Sequence, residues 1–232
     1  MDALVTYETD GPIATITMDD GKVNVLSPRM LTELEAAFDR AEANGAVVVL
    51  RGREGVFSAG FDLAILNAGG SGSLAMVRAG FELAERVLSF PIPVVVACTG
   101  HAVAMGVFLV LSGDHRIGAT GSFRLTANEV AIGLTMPRAA VAICRQRLTP
   151  AHFNRAVVLA EAFDPAGAVE AGFLDRVVDP TEVDAAARTA ARALATLDRA
   201  SHVATKQRAR GPALEAIRAG ITADYLSFRR PA

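Results

Sequence analysis

The stretch GHAVAMGVFLVLSGDHRIG, residues 100–118, contains the change of pattern on which the fold prediction rests. It begins as a glycine-containing loop, continues as a short apolar helix and ends in a strand. The valine-rich run PIPVVVACTG precedes it and predicts another, buried strand. Because strand, helix and strand follow one another here, the sequence predicts an α/β protein with mostly parallel strand pairing.

The same alternation continues toward the N-terminus. Residues 3–18 alternate with period two around an Asp-Gly turn, which predicts a β-hairpin. Residues 27–44 carry apolar side chains at helical spacing, and Ser27 can cap that helix. A buried strand at 46–52 and a helix at 72–90 follow.

The composition changes near Pro180, after which the chain is rich in alanine and strongly helical. We therefore predict a core of residues 1–180 and a C-terminal helical region of residues 181–232. The second region has too little continuous apolar surface for a core of its own, so we expect it to pack on the first or on a neighbouring subunit. No internal sequence repeat is evident.

Composition and charge exclude several classes of protein. The 232 residues are 51% hydrophobic and 21% charged, with a net charge of -2, which is the balance of a globular protein. Nucleic-acid binding is not expected, because no cluster of basic residues is present. The basic residues of the C-terminal region are spaced along helices, which predicts either a solvated face or an anion contact. They are Lys206, Arg208, Arg210, Arg218, Arg229 and Arg230.

Cys98 and Cys144 lie in apolar surroundings and fit no metal-ligand spacing, so we expect free, buried thiols and no metal site. No apolar run approaches the roughly 18 residues of a membrane span, and the N-terminus does not have the pattern of a signal peptide. A cytoplasmic location is the resulting expectation.

Two loops follow predicted buried strands and contain small residues, FSAGFDL and GHAVAMG. Glycine lets a ligand approach the backbone closely, and the first amides of a helix have no partner within that helix. Amides near Met105 and Gly106 and one from the first loop would together stabilise the charge that develops on a carbonyl oxygen. Glycine-containing turns between strands and helices are also common without such a role. His101, His115, His152 and His202 are isolated, and we expect structural or solvated roles for them.

Glu129 is the one carboxylate in the stretch ANEVAIGLTMP, residues 127–137. From the residues alone, two interpretations remain open. It is either a loop charge that pairs with Arg124 or Arg138, or a catalytic base in an apolar pocket.

The order and spacing of five motifs resemble the crotonase family, also called the enoyl-CoA hydratase/isomerase superfamily. These motifs are GVFSAGFDL, GHAVAMGVFLVLSGDHRIG, FRLTANEVAIGLTMP, AVEAGFLDRVVDP and ATK. The resemblance implies a spiral of ββα turns with a C-terminal helical region used in trimer formation. It also implies acyl-CoA thioester substrates, with coenzyme A as part of the substrate and no separate cofactor.

The resemblance also implies roles for individual residues. The two oxyanion-hole amides fall on Phe61 and Met105, and the catalytic glutamate falls on Glu129. Hydratases of the family have another glutamate where this chain has Phe108. The residues implied in substrate binding are Lys22, Val23, Val25, Ala59, Gly60, Asp62, Leu63, Ala64, Gly106 and Phe108.

A single carboxylate suits proton transfer better than water addition, since an aromatic ring cannot hold water. The sequence is therefore closest to the branch of single-glutamate enoyl-CoA isomerases, and Δ3,Δ2-enoyl-CoA isomerisation is the expected reaction. The alternatives are an enoyl-CoA hydratase and a non-catalytic acyl-CoA binding protein. We expect a homotrimer or a dimer of trimers, with a C-terminal region shorter than is typical of the family.

Overall fold

A computed structural model describes residues 3–228, without the side chain of Phe228. Its largest sheet has six strands in the order β1-β2-β4-β7-β9-β11. The predicted hairpin is present, since β1 and β2 pair antiparallel, and the remaining neighbours in this sheet pair in parallel. Strands β4 and β7 are apolar and almost wholly buried, as expected for parallel strands covered on both faces. The strands are β1 Val5–Asp10, β2 Ile13–Met18, β3 Val25–Leu26, β4 Val47–Arg51, β5 Gly55–Ser58, β6 Gly60–Phe61, β7 Val94–Cys98, β8 Gly100–Val103, β9 His115–Ala119, β10 Leu125–Thr126 and β11 Arg176–Val178.

The chain forms repeated turns of two strands and a helix. In two of these turns the first strand, β4 or β7, joins the six-stranded sheet, and the second, β5 or β8, joins a three-stranded sheet ordered β10-β8-β5. The β9–β10 pair continues the pattern. The ββα spiral and the helical C-terminal region are thus confirmed, although no internal sequence repeat indicates the spiral.

The helices of the described residues include those that the sequence predicts at 27–44, at 72–90 and within 100–118. They are α1 Pro28–Ala43, α2 Leu63–Ala68, α3 Gly70–Ser89, α4 Met105–Ser112, α5 Arg138–Arg147, α6 Pro150–Val157, α7 Pro165–Ala171, α8 Val183–Leu194 and α9 Arg199–Phe228. Helix α1 begins where the sequence predicts, because the Ser27 side chain accepts a hydrogen bond from the Met30 amide at 3.2 Å. No helix of the described residues is both long and apolar enough to cross a bilayer.

Helix α4 lies at the centre of the molecule, and all eight of its residues are buried. Gly106 is needed there, because a Cβ atom at this position would lie 2.9 Å from the Cβ of Ser58. The helix therefore packs directly on β5, which fixes the position of its N-terminus.

Helices α8 and α9 pack on the preceding elements. Helix α8 lies on β4 and β7, and α9 lies on α3 and α5. Lys206 of α9 donates to Asp114 and to the Phe90 carbonyl, both at 2.8 Å, and Arg210 pairs with Asp114 at 2.9 Å. A solvated face is therefore the wrong interpretation for Lys206 and Arg210. Arg229 and Arg230 lie outside the described residues.

Cys98 and Cys144 are free and buried, as predicted. Burial raises the pKa of both thiols. Neither therefore has the character of a reactive thiolate.

Candidate active site

Two loops meet at the N-terminus of α4. Gly60 of β6 has φ of +90°, and a Cβ atom there would lie 2.9 Å from the Val103 carbonyl oxygen and 3.3 Å from the Met105 amide nitrogen. Only glycine allows this approach. Met105 is the first residue of α4, so its amide has no carbonyl partner within the helix. The structure thus brings together the two segments for which the sequence predicts an oxyanion hole.

Ala104 holds the second segment in an unusual backbone conformation. Its φ of 49° and ψ of -124° lie in a region that residues with a Cβ atom rarely adopt. Because Ala104 directly precedes α4, this conformation sets the direction of the Met105 amide. An alanine gives no sequence signal for such strain, and the prediction from sequence did not include it.

The Met105 side chain is accommodated by helix α3. Met105 is buried, and its Cγ lies 3.5 Å from where a Cβ atom of Gly80 would be. The Phe61 ring lies even closer to the same position. Gly80 therefore makes room for both side chains, a role that sequence reasoning missed because this glycine sits within a helical pattern.

A cavity of about 240 Å³ adjoins these loops. Its wall is mostly apolar and is built from α2, α3, the two loops and the segment that follows β10. It is lined by Ala59, Phe61, Leu63, Leu66, Ser73, Leu74, Val77, Phe81, Val103, Ala104, Asn128, Glu129, Ile132, Leu134, Thr135 and Pro137. Glu129 is the one ionisable group among these described lining residues.

The Glu129 carboxylate is buried, with 7% of the residue exposed. Its Oε2 atom has no hydrogen-bond partner among the described residues. Burial raises the pKa of this carboxyl to about 7, opposed only by a hydrogen bond to its own backbone. An unpaired buried carboxylate in a cavity is a sign of function rather than of stability.

The alternative interpretation of Glu129, a loop charge paired with an arginine, disagrees with the structure. Arg138 pairs with Asp224 at 2.9 Å. Within residues 3–228, the Glu129 carboxylate forms no ion pair with Arg124 or Arg138.

Asn128 is a polar residue of the cavity that sequence reasoning did not single out. It lines the cavity beside Glu129, and its Oδ1 atom is also buried without a partner in the described chain. The sequence signal that could have identified Asn128 is its amide side chain, which directly precedes the candidate base Glu129. Two residues that line one apolar cavity thus each carry a buried oxygen without a partner in the described chain, which marks them as candidates for a functional role.

Phe108 does not line the cavity. It is buried on α4 and stacks on Phe81, with ring centroids 6.0 Å apart, and Phe81 forms the wall instead. Phe81, and not Phe108, borders the cavity, so a contact between Phe108 and substrate stays a prediction. Gly106 is likewise packed on Ser58 and is absent from the lining.

The other residues predicted to bind substrate fall into two groups. Ala59, Phe61 and Leu63 line the cavity, whereas Asp62 caps the N-terminus of α2 and accepts a hydrogen bond from the Ala64 amide at 2.9 Å. Lys22, Val23 and Val25 lie outside the cavity lining. Val25 pairs with Gly60 through β3 and β6, so this segment adjoins the first loop. Contacts of these residues with coenzyme A stay a prediction.

None of the four histidines lines the cavity. Within the described residues, no group of three or more His, Cys, Asp or Glu is placed to hold a metal ion. The polar groups that line the cavity are one carboxylate, one amide side chain, the hydroxyls of Ser73 and Thr135, and the loop backbones. A base near the first amide of a helix, which has no partner within that helix, is an arrangement with which enzymes move protons next to a carbonyl group.

Comparisons with known proteins agree with this class of site. A family model for enoyl-CoA hydratase/isomerase matches residues 8–231, so the chain belongs to the enoyl-CoA hydratase/isomerase family. This family acts on acyl-CoA substrates.

Three solved structures illustrate the likeness. An enoyl-CoA hydratase from Mycobacterium marinum and an enoyl-CoA isomerase from Mycobacterium tuberculosis are each 48% identical to this chain, with a TM-score of 0.94. Each comparison covers 97% of this chain and 99% of the other. Human mitochondrial delta3-delta2-enoyl-CoA isomerase is 27% identical, with a TM-score of 0.91 over 97% of this chain and 90% of the human chain. Similar chains thus carry both names, hydratase and isomerase.

Proposed function

We propose that the protein is a Δ3,Δ2-enoyl-CoA isomerase in which Glu129 is the single base. The observation that carries the proposal is the isolation of Glu129, whose carboxylate is the one ionisable group in an apolar cavity beside the two loops. Coenzyme A is part of the substrate, and the reaction needs no other cofactor.

The reaction moves one proton. The thioester oxygen accepts hydrogen bonds from the Phe61 and Met105 amides, which makes the C2 proton more acidic. Glu129 removes that proton from C2, and the electron pair becomes part of a dienolate whose negative charge lies on the thioester oxygen. Glu129 then returns the proton to C4 as the thioester carbonyl re-forms and the double bond shifts from C3–C4 to C2–C3, so the enzyme ends in its starting state.

The apolar wall serves this reaction in two ways. It raises the pKa of Glu129 to about 7, which makes the carboxylate a stronger base at neutral pH. It also excludes water, which would otherwise exchange with the proton in transit.

The principal test is to supply a 3-enoyl-CoA and follow the absorbance of the conjugated thioester. We expect kcat/KM to rise with pH through about 7 and then level off, because only the ionised carboxylate accepts a proton. Glu129→Gln keeps the size of the side chain and removes the base, so we expect a loss of about 10²–10⁴-fold. Undiminished turnover in this variant would refute the proposal.

A hydratase is the second candidate, since structures at the same 48% identity are named hydratase as well as isomerase. In that reaction Glu129 would activate a water whose remaining hydrogen bond goes to Asn128 Oδ1, the other unsatisfied oxygen of the cavity. Hydration of crotonyl-CoA that falls in both Glu129→Gln and Asn128→Leu supports this candidate. Isomerisation that is retained in Asn128→Leu, without hydration in the unaltered protein, excludes it.

The third candidate is a non-catalytic acyl-CoA binding protein. Acyl-CoA binding without turnover on a panel of enoyl and acyl thioesters is its expected signature. Any turnover that depends on Glu129 excludes it.

We also propose a cytoplasmic homotrimer or dimer of trimers, in which the helical region of residues 181–232 contributes to the contacts between subunits. The exposed apolar side chains Leu197 and Leu226 lie in that region and are 49% and 57% exposed. Light scattering on the purified protein distinguishes one, three and six subunits.

A further inference from the structure

Three side chains of helix α3 lie between the candidate active site and a second, smaller cavity. Leu74, Val77 and Phe81 line both spaces. They are spaced three and four residues apart and therefore lie on one side of the helix. The smaller space has a volume of only about 10 Å³, which is roughly the room for one water molecule.

The far side of the smaller cavity is built by α9 and is held firmly. Asp224 receives hydrogen bonds from Arg138 at 2.9 Å and from the Ala139 amide at 3.3 Å. The Arg78 guanidinium lies over the Tyr225 ring, 5.2 Å from its centroid. The α9 side of the smaller cavity is therefore held in place by contacts within the protein, and its position does not depend on bound substrate.

The three shared side chains differ in how tightly they are held. Phe81 is buried and packs against the rings of Phe61 and Phe108, with centroids 6.2 and 6.0 Å away. Leu74 and Val77 are only partly buried aliphatic side chains. Phe81 thus supports the site, whereas Leu74 and Val77 are the replaceable part of the wall.

We infer that Leu74 and Val77 are a partition that limits the length of the acyl group, so that the protein prefers short acyl chains. This inference rests on the proposed function and adds a substrate class to it. A methylene group that finds no apolar contact adds no binding energy, and one that clashes with the partition is excluded. With the partition removed, the two cavities join and a longer chain extends toward α9.

The experiment compares 3-hexenoyl-CoA with 3-decenoyl-CoA in the unaltered protein and in a Leu74→Ala/Val77→Ala variant. We expect the ratio of kcat/KM values to shift toward the longer substrate by roughly tenfold or more. The matched control is Leu134→Ala, which enlarges the first cavity at a wall that does not face the second. We expect that control to change the ratio by less than about threefold. Val77→Phe thickens the partition and should lower activity with 3-decenoyl-CoA most.

Binding separates this inference from the proposed reaction. Hexanoyl-CoA and decanoyl-CoA are titrated calorimetrically into the same variants, a measurement that needs no turnover. A shift in relative affinity without any Glu129-dependent turnover supports the partition and refutes the isomerase. Turnover with an unchanged length preference in the double variant, or an equal shift in Leu134→Ala, refutes the partition. Circular dichroism confirms that each variant is folded.

Discussion

Asp114 and Glu129 are both carboxylates of low exposure, yet their surroundings are opposite. Asp114, directly after α4, receives hydrogen bonds from Lys206 at 2.8 Å and from the Val94 amide at 2.7 Å, and pairs with Arg210 at 2.9 Å. Glu129 faces an apolar cavity with one oxygen unpaired.

The difference shows how the same functional group takes two roles. Partners around Asp114 offset the cost of burying its charge and tie α9 to the core. Nothing offsets that cost for Glu129, so its pKa rises to about 7 and the group becomes a base suited to neutral pH. The first carboxylate is expected to matter for stability and the second for reactivity.

The largest stability effect is expected for Asp114→Asn. The substitution leaves two nearly buried cations, Lys206 and Arg210, without their counter-charge, and breaking such a group costs about 3–5 kcal/mol. Urea unfolding measures the loss. The matched control is Glu82→Gln, which breaks the exposed pair with Arg78 and should cost less than about 1 kcal/mol. Equal losses of stability in the two variants would show that Asp114 contributes no more than an exposed ion pair.

A gain in stability, instead of a loss, is expected for Glu129→Gln at neutral pH. Its free energy of unfolding relative to the unaltered protein should depend on pH. The folded protein binds this proton more tightly than the unfolded chain does, because the pKa rises from 4.5 to about 7 on folding. The unaltered protein therefore loses stability as pH rises from about 4.5 to 7, and the loss is complete above 7.

Because glutamine does not titrate, the variant should gain about 3 kcal/mol relative to the unaltered protein between pH 4 and pH 8. Denaturant unfolding of both proteins at the two pH values gives this difference. A difference that stays constant with pH would show that the carboxyl is not perturbed by folding.

A smaller gain is expected for Ala104→Gly, which relieves the strained backbone before α4. Such strain destabilises the folded state by about 1–3 kcal/mol. Glycine also stabilises the unfolded chain through its greater conformational entropy, which offsets part of the relief. We expect a net stabilisation of about 1 kcal/mol by thermal or urea unfolding. Ala102→Gly in neighbouring β8 is the control, and there we expect a loss of about 0.5–1 kcal/mol. Destabilisation of similar size in both variants would contradict a strained Ala104.

Local sequence patterns predicted much of the fold. The Asp-Gly turn, the cap at Ser27 and the valine-rich strands act over a few residues, so their outcomes could be inferred without a tertiary structure. The spiral was predicted only from the family resemblance. Successive ββα turns are arranged by contacts between residues far apart in the chain, and no sequence repeat indicates that arrangement here.

Long-range contacts account for what was mispredicted or missed. For Lys206 and Arg210 the sequence left a solvated face and an anion contact open, because their partner, Asp114, lies about ninety residues away in the chain. Phe108 was expected to contact substrate, yet it stacks on Phe81, which lines the cavity in its place. Gly80 looked like an ordinary helical residue until Met105 and Phe61 were placed against it.

The sequence by itself determined which groups are available for chemistry: one glutamate in an apolar segment, two glycine-containing loops and no second acid at residue 108. Only the tertiary structure decided that the Glu129 carboxylate has no arginine partner, that Gly60 and Met105 meet, and that α3 divides two cavities. The physical reason is that residue types fix what a group can do, whereas burial and neighbours, which arise only on folding, fix its charge state and its reach.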